Sequence, residues 1–445
     1  MAPVSAKAMT IGIDIGTTAV KAVAADEDGR VAARVRIPHR LRVPAPNQFE
    51  HDADEAWRRG PLAALAELGT SDAAAVAVTA MVPSLTAVDD DGRPLTPGLL
   101  YGDVRGRRAA GPDTSFLSGE AEEFLRWTVG EAPEALGYWP ATAVANHALA
   151  GEAVIDNSTA STAYPLYDGN GWSETVCAEC GTEPAAMPLV EATGVAVGRV
   201  HDSDTVLAAG AVDAVCEQLV AGAGQDGDVQ VLCGTTLIVW VTVNEFREVP
   251  GLWTLPHTAA GKLQIGGPSN AGGLFLGWVD RLVGRGVETD PARVPVWSPY
   301  LRGERVPLHD PDRRAVLDGL NLTHDGASVR RAAYEASGFV VRQIIEMSGA
   351  RATRVVATGG GTRVEPWMQA MADATGLPVS VSGVAEGAAL GAAFIARMAA
   401  GLETEVGDAA RWASVDRIVE PDPAWTAAVE DRYARFLELA ARPSA

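Results

Sequence analysis

Lysine is nearly absent from this chain: its 445 residues include only Lys7, Lys21 and Lys262. Reactions that run through an essential lysine therefore have few candidate groups. Lys and Arg together number 36 against 57 Asp and Glu, a formal charge of −21. A groove that tracks a nucleic-acid backbone needs clustered cations to displace counterions, and no basic stripe is present, so nucleic acid and anionic membrane are excluded as partners. Cysteine is scarce as well, four residues in all. That is too few for a disulfide framework and fits a reducing compartment. Cys177 and Cys180 form one C-x-x-C with neither a second pair nor a His pair at zinc spacing, which favours ordinary loop and core thiols over a metal or redox role. No apolar run approaches the roughly 18 residues of a membrane span, and the first ten residues carry no signal-peptide core. The expectation is a soluble, cytoplasmic protein.

What the chain does contain is a globular composition, 47% hydrophobic and 21% charged, with enough length for two or three domains. Glycine is plentiful at 47 residues, which promises tight turns and close backbone approaches. Residues 10–15 read as a buried strand, Gly16-Thr17-Thr18 as a tight turn and 19–25 as a second strand, with Asp28-Gly29 leading into a third at 31–37. Asp14 ends an apolar strand beside the glycine turn. There its carboxylate can face a site while free N–H groups of the turn point at an anion, or it can simply cap the hairpin. The pattern recurs downstream, where 229–232 lead into Cys233-Gly234-Thr235-Thr236 and then 237–243, so the chain reads as two related halves. A third cluster, Thr358-Gly359-Gly360-Gly361, follows a strand at 354–357 and precedes a helix at 364–375, a layout that lets backbone approach a nucleotide at a helix N-terminus. Other nucleotide motifs are excluded. Gly261-Lys262 is followed by Leu263, so there is no Walker A loop, and Gly222, Gly224 and Gly227 follow a helix and precede a strand, the reverse of the dinucleotide order.

Three further segments make the pattern specific. The opening I-G-I-D-I-G-T-T-A-V-K, the run Leu99-Leu100-Tyr101-Gly102-Asp103-Val104-Arg105, and Pro299-Tyr300-Leu301-Arg302-Gly303-Glu304-Arg305-Val306-Pro307 resemble the FGGY carbohydrate kinase family, its xylulokinase-like branch in particular. The likeness continues through Gly319-Leu320 and His324, the helix 330–336, the Thr358–Gly361 turn and Gly387-Ala388-Ala389-Leu390-Gly391-Ala392-Ala393, in family order over nearly the whole chain. The resemblance implies an α/β fold of two actin-like (ribonuclease H-like) domains, each a mixed sheet flanked by helices, with the active site in the interdomain cleft. An N-terminal domain would span 1–223 and a C-terminal, nucleotide-binding domain 224–445. It implies ATP and Mg2+ as cofactors, a small sugar or polyol as substrate, and a homodimer as one arrangement common among members. Asp14 would orient magnesium-bound phosphates, directly or through water, with Thr17 and Thr18 in the first phosphate hairpin. Gly234, Thr235 and Thr236 would form the second hairpin, Gly359, Gly360 and Gly361 would lie along the adenosine, and Gly272 and Gly273 match a further nucleotide-contacting position.

The family's catalytic base is an aspartate in a G-G-G-D-N-A-like element, here Ala208-Ala209-Gly210-Ala211-Val212-Asp213-Ala214, so the resemblance points to Asp213. The chemistry is coherent, because a sugar hydroxyl needs a carboxylate to accept its proton as the P–O bond forms. The bland alternative makes Asp213 a helix-capping residue. Departures concern the acceptor. Where the branch commonly carries Q-M-H-G, this chain has Met81-Val82-Pro83-Ser84, which removes an amide and an imidazole that would bind sugar hydroxyls. Met81 and Asp103 are the remaining substrate candidates beside Asp213, although Asp103 can equally hold its loop by pairing with Arg105. Trp127, Tyr138 and Trp139 read as core before pocket, and His51, Asp52 and Asp54 as the acidic start of a helix at 55–68 kinked by Pro61. The expected function is an ATP-dependent kinase of a xylulose-like ketopentose or related pentitol or tetritol; the alternative is a catalytically silent sugar or nucleotide sensor.

Overall fold

The structure is a computed structural model that describes residues 9–69, 73–106, 120–283, 289–310 and 312–442. The chain divides into two compact units, Met1–Val220 with Glu386–Trp412, and Ala221–Ala385 with Ala413–Ala445. A single cut between 223 and 224 does not describe this division, because 386–412 return to the first unit.

The first unit is built on six strands: β1 (Thr10–Ile15), β2 (Ala19–Ala25), β3 (Val31–Pro38), β4 (Ala75–Ala80), β5 (Ala196–Arg199) and β6 (Val206–Ala208). Their order is β5-β6-β4-β1-β2-β3. The expected hairpins make β1, β2 and β3 an antiparallel meander, while β4 runs parallel to β1 and β6 parallel to β4. Every residue of β1 and β4 is buried, as expected of central strands covered on both faces. The edge strand β3 exposes Arg34 and Ala33, and a charged edge discourages further strand pairing. The helix expected at 55–68 begins as a π-helical turn, Asp54–Arg59, and passes into α1 (Gly60–Leu68) where Pro61 removes an N–H.

Two helices finish this unit around the C-terminal ends of β1 and β4. Helix α2 (Asp213–Leu219) follows β6, and α6 (Gly387–Ala399) arrives from far downstream. A Cβ on Gly12 of β1 would stand 1.8 Å from the Ala389 carbonyl oxygen, and one on Gly391 would stand 2.0 Å from that of Cys216. The small residues of α6 therefore let it lie directly on β1 and α2. A separate four-stranded sheet of Glu50–His51, Ser84–Val88, Gly98–Leu100 and Gly137–Trp139 packs on a cluster containing Leu99, Phe124, Tyr138, Cys177 and Cys180. Both cysteines are buried free thiols, and Tyr138 and Trp139 are core residues.

The second unit carries β7 (Asp228–Cys233), β8 (Leu237–Val243), β9 (Trp253–Pro256), β10 (Leu263–Ser269), β11 (Arg354–Thr358), β12 (Val379–Ser382) and β13 (Val415–Val419), in the order β9-β10-β8-β7-β11-β12-β13. β7, β8 and β10 are antiparallel, β11 and β12 continue in parallel, and β13 is antiparallel. Strand for strand this repeats the first sheet, with β7, β8, β10, β11, β12 and β13 in the places of β1, β2, β3, β4, β6 and β5. The repeat inferred from two G-T-T turns is thus a repeat of topology, with one exchange: β5 precedes β6 in the chain, whereas β13 follows β12. Helices α3 (Gly273–Leu282), α4 (Gly326–Ser348) and α5 (Glu365–Thr375) bury an apolar core against the sheet. Helix α4 opens with a reciprocal capping box between Asp325 and Ser328. No helix among the described residues is long and apolar enough to cross a membrane.

Candidate active site

In the first unit, the ends of β1 and β4 bring Asp14 and Asp213 into electrostatic contact. Asp14 faces Lys21 across β2 and Thr79 across β4, and Lys21 Nζ lies 3.6 Å from its Oδ2. Burial raises the Asp14 carboxyl above its ordinary value, and the Lys21 charge opposes that shift only in part. Thr79 Oγ1 donates to the Ala211 carbonyl at 2.7 Å, and the Val212 N–H donates to Ser158 Oγ at 3.0 Å. These two bonds clamp the segment just before Asp213. Gly210 sits at φ +91°, where a Cβ would lie 2.2 Å from the Val78 carbonyl oxygen, so the close turn onto β4 needs glycine. Asp213 itself occupies the first turn of α2 behind Val212, the N-cap, and its Oδ1 accepts from the Ala214 N–H at 2.7 Å. Burial foremost, then the Asp14 and Glu217 charges, push its carboxyl up to about 7. A carboxylate with that affinity for protons is matched to general-base work near neutral pH.

The first glycine turn is held from behind by residues that the sequence left in a helix start. Fully buried His51 accepts from Trp57 Nε1–H at its Nδ1 (3.0 Å), which fixes the proton on Nε2, and that N–H donates to the Thr17 carbonyl at 2.9 Å. Burial holds the imidazole down at about 4, so it stays neutral and keeps this tautomer. The Thr17 hydroxyl meets Tyr101 OH at 3.1 Å. The sequence signal for this support is a His six residues before a Trp.

Two of the substrate candidates do not face a site. Met81 is 3% exposed and belongs to the apolar core. Asp103 is fully buried. Its oxygens accept from the Phe49 N–H (2.6 Å), the Arg105 N–H (2.8 Å), and Arg105 Nε and Nη2. Arg105 in turn reaches Glu50 at 2.7 Å. The loop-holding role of Asp103 therefore uses up its lone pairs, and a substrate contact through it has no room.

In the second unit the glycines serve a stacked turn. The Gly234 N–H closes the hairpin on the Thr236 carbonyl (3.2 Å), while the N–H groups of Gly273 and Leu274 donate to the Gly234 and Thr235 carbonyls (2.8 and 3.1 Å). A Cβ on Gly272 would come within 2.5 Å of Leu237 N, and one on Gly273 within 2.7 Å of Gly234 O. Both glycines are thus required by contact with the second hairpin, whose carbonyls cap α3. Buried Glu304, inside one of the quoted motifs but given no role there, supports the same corner. It accepts from Ser269 Oγ (2.7 Å) and from the N–H groups of Asn270 (2.9 Å) and Arg305 (2.7 Å), and burial pushes it up to about 7 despite them. In the third cluster, Gly359 has φ +85° and Gly361 is pressed on Cys233 and Trp367, but a Cβ on Gly360 would meet nothing within 4 Å. Gly360 is the member of the run with an open face.

Comparison with known proteins gives the following. The model of the FGGY family of carbohydrate kinases, N-terminal domain, matches residues 9–111, and that of the family's C-terminal domain matches residues 229–400. A gluconokinase from Bacillus subtilis (strain 168) is 27% identical over 88% of this chain and 87% of its own length. A xylulose kinase from Escherichia coli (strain K12) is 25% identical over 97% of this chain and 98% of its own. Among solved structures, xylulose kinase from Rhodospirillum rubrum has a TM-score of 0.79 at 25% identity, covering 97% of this chain and 98% of that one.

Proposed function

Because the chain belongs to the FGGY family of carbohydrate kinases, we propose that it transfers the γ-phosphoryl group of ATP to a hydroxyl of a small, neutral sugar or polyol of the xylulose, pentitol or tetritol kind, with Asp213 as general base. The observation that carries this reading is the Asp14–Asp213 pair, in which Asp213 is pushed up to about 7 beside a second buried carboxylate. Asp213 takes the proton of the attacking hydroxyl as its oxygen closes on phosphorus, and the bond to the ADP oxygen breaks on the opposite side. Each unit carries a glycine turn, the His51-braced turn at Thr17 in the first and Gly234–Thr236 in the second, and turns of this kind offer main-chain N–H groups to phosphate oxygens, so few lysines are needed.

The residues present also fit magnesium. Asp14 offers hard carboxylate oxygens, and no group of three His, Cys, Asp or Glu among the described residues forms a protein cage, which suits an ion held by one or two carboxylates, water and substrate phosphates. Asp14 would hold such an ion, directly or through water, and the ion would supply positive charge against that developing on the phosphate oxygens.

Two cations of the first unit, Lys21 and Arg105, already have carboxylate partners, which points to a neutral acceptor. Lys21 stands on Asp14, and the Arg105 guanidinium is taken by Asp103 and Glu50. An aldonate carboxylate would therefore compete for cations already engaged, which favours a ketose or polyol over gluconate. The test follows ADP release with D-xylulose, ribitol, erythritol, glycerol and D-gluconate, for the native protein and Asp213→Ala. ADP released with a neutral acceptor and abolished by the substitution is the expected result; native protein that binds ATP yet releases no ADP with any acceptor would refute the proposal.

A further inference from the structure

We infer that the acceptor site includes an apolar subsite that takes a carbon bearing no hydroxyl, so that the acceptor is a deoxy or C-methyl sugar or polyol; this inference rests on the kinase reading above. The first unit contains a cavity of about 30 Å³ whose walls include Val82, Pro83, Ile155, Thr159, Ala163 and Trp172. Since one water needs about 10–15 Å³ by the same measure, the space suits a methyl group or a two-atom tip.

Its walls are tied to the segment bearing the base. Val82 and Pro83 continue β4, whose Thr79 pairs in register with Asp14 and bonds to the Ala211 carbonyl, and the Met81 N–H donates to the Ile15 carbonyl. On the opposite wall, Thr159 directly follows Ser158, which holds the Val212 N–H beside Asp213.

The polar groups of the walls are almost all engaged. Ser84 Oγ accepts from the Ala141 N–H at 3.1 Å, and Trp172 Nε1 donates to the Pro188 carbonyl at 2.8 Å. The exception is the Thr159 hydroxyl, on a residue 4% exposed, which has no hydrogen-bond partner. A substrate hydroxyl pushed into this cavity would exchange several water contacts for at most one bond to Thr159, whereas a methyl group gives up nothing and gains burial. One of these walls, Pro83, stands where the imidazole of the expected polar pair is missing, and Met81, in place of the amide, lies in the core beside it. The two facts have one explanation if the acceptor itself lacks a hydroxyl at that carbon.

The experiment compares kcat/KM for acceptors that differ by one hydroxyl or one methyl: D-xylulose against 1-deoxy-D-xylulose, erythritol against 2-C-methylerythritol, and glycerol against propane-1,2-diol. The expected result is a preference of roughly 10- to 100-fold for the less hydroxylated or methylated member of at least one pair. Ala163→Leu, which fills the cavity, should collapse that ratio toward one, and Thr159→Val, which keeps its volume, should raise it. If the first variant fails to fold, the second decides. A preference for the more hydroxylated member in every pair would overturn the inference. So would an unchanged ratio in Ala163→Leu together with a higher melting temperature, the behaviour of a mere packing void. Absence of ADP with every acceptor would overturn the kinase reading and the inference with it.

Discussion

Asp213→Asn should stop turnover and yet make the protein more stable at pH 8. Asp213 is raised from 3.8 to about 7 by burial and by the charge of Asp14. Between about pH 4 and pH 7 the folded chain therefore keeps a proton that the unfolded chain releases. Stability must fall as pH rises through that window, and the loss is complete above the folded value. A shift of about three units, at about 1.36 kcal/mol each, sets a ceiling near 4 kcal/mol for charging this group in the folded state. Asp213 retains part of its surface in water, so solvent screening brings the realistic figure to about 2 kcal/mol. Asparagine has nearly the same shape, can accept the Ala214 N–H through its amide oxygen, and never pays the charging cost. For a unit of this size about 2 kcal/mol corresponds to a rise of roughly 4–8 °C in Tm.

The assay is a series of thermal melts of native and Asp213→Asn protein from pH 5 to pH 8.5, without nucleotide or magnesium. The difference in Tm should be largest at pH 8 and shrink toward the acid end. Equal melting temperatures at pH 8, or a less stable variant there, would show that burial and the Asp14 charge do not raise the Asp213 carboxyl as described. Turnover retained by Asp213→Asn would show instead that another group takes the proton.

For the native enzyme, kcat/KM should fall about tenfold per pH unit on the acid side of pH 7, because only the ionised form of Asp213 accepts a proton; a flat profile down to pH 5.5 contradicts the assignment. Gly391→Ala places a Cβ 2.0 Å from the Cys216 carbonyl oxygen, and displacing α6 from α2 should cost about 1–3 kcal/mol and lower kcat, read from urea melts and ADP release on the same samples. Glu304→Ala leaves the Ser269 hydroxyl and the Asn270 and Arg305 N–H groups without their acceptor. It should cost about 2–4 kcal/mol and raise the KM for ATP, while Glu304→Gln, which keeps an acceptor oxygen, should lose much less of both.

The elements legible from sequence were those whose signal is local. The run 10–37 alternates apolar strands with glycine turns, and the repeated G-T-T turn marks the same two strands in each half. The return of Gly387–Ala399 to the first unit has no local signal beyond a small-residue pattern. Such a pattern shows that something approaches closely, but only the fold shows that it is Gly12 and Cys216. Asp103 was ambiguous because Asp-x-Arg fits both a pair and a binding site, and the deciding partner, the Phe49 N–H, lies 54 residues away. His51 was read by its neighbours in sequence as part of a helix start, whereas its function depends on the Thr17 carbonyl in the turn between β1 and β2.

The duplicated sheets also bear on why the two halves divide their chemistry as proposed. At the end of β1 stands Asp14, flanked in register by Lys21 and Thr79. At the same place on β7 stands Leu232, flanked by Ile238 and Thr358. The threonine is common to both, but Thr79 spends its hydroxyl on the Ala211 carbonyl, while Thr358 Oγ1, buried beside the Gly359–Gly361 run, has no partner. A triphosphate carries several negative charges and is repelled by a bare carboxylate at close range. The unit with leucine at this position presents main-chain N–H groups and the unpartnered Thr358 hydroxyl in place of a carboxylate, which favours the nucleotide. The unit with aspartate would hold a cation or a proton to relieve the charge shared with Asp213, which leaves the Asp213 carboxylate placed to accept a proton from a hydroxyl. The overall charge of −21 is then no obstacle to an anionic ligand, because the local field at the second turn is set by oriented N–H groups within a few ångströms, while the distant surface carboxylates are screened by salt.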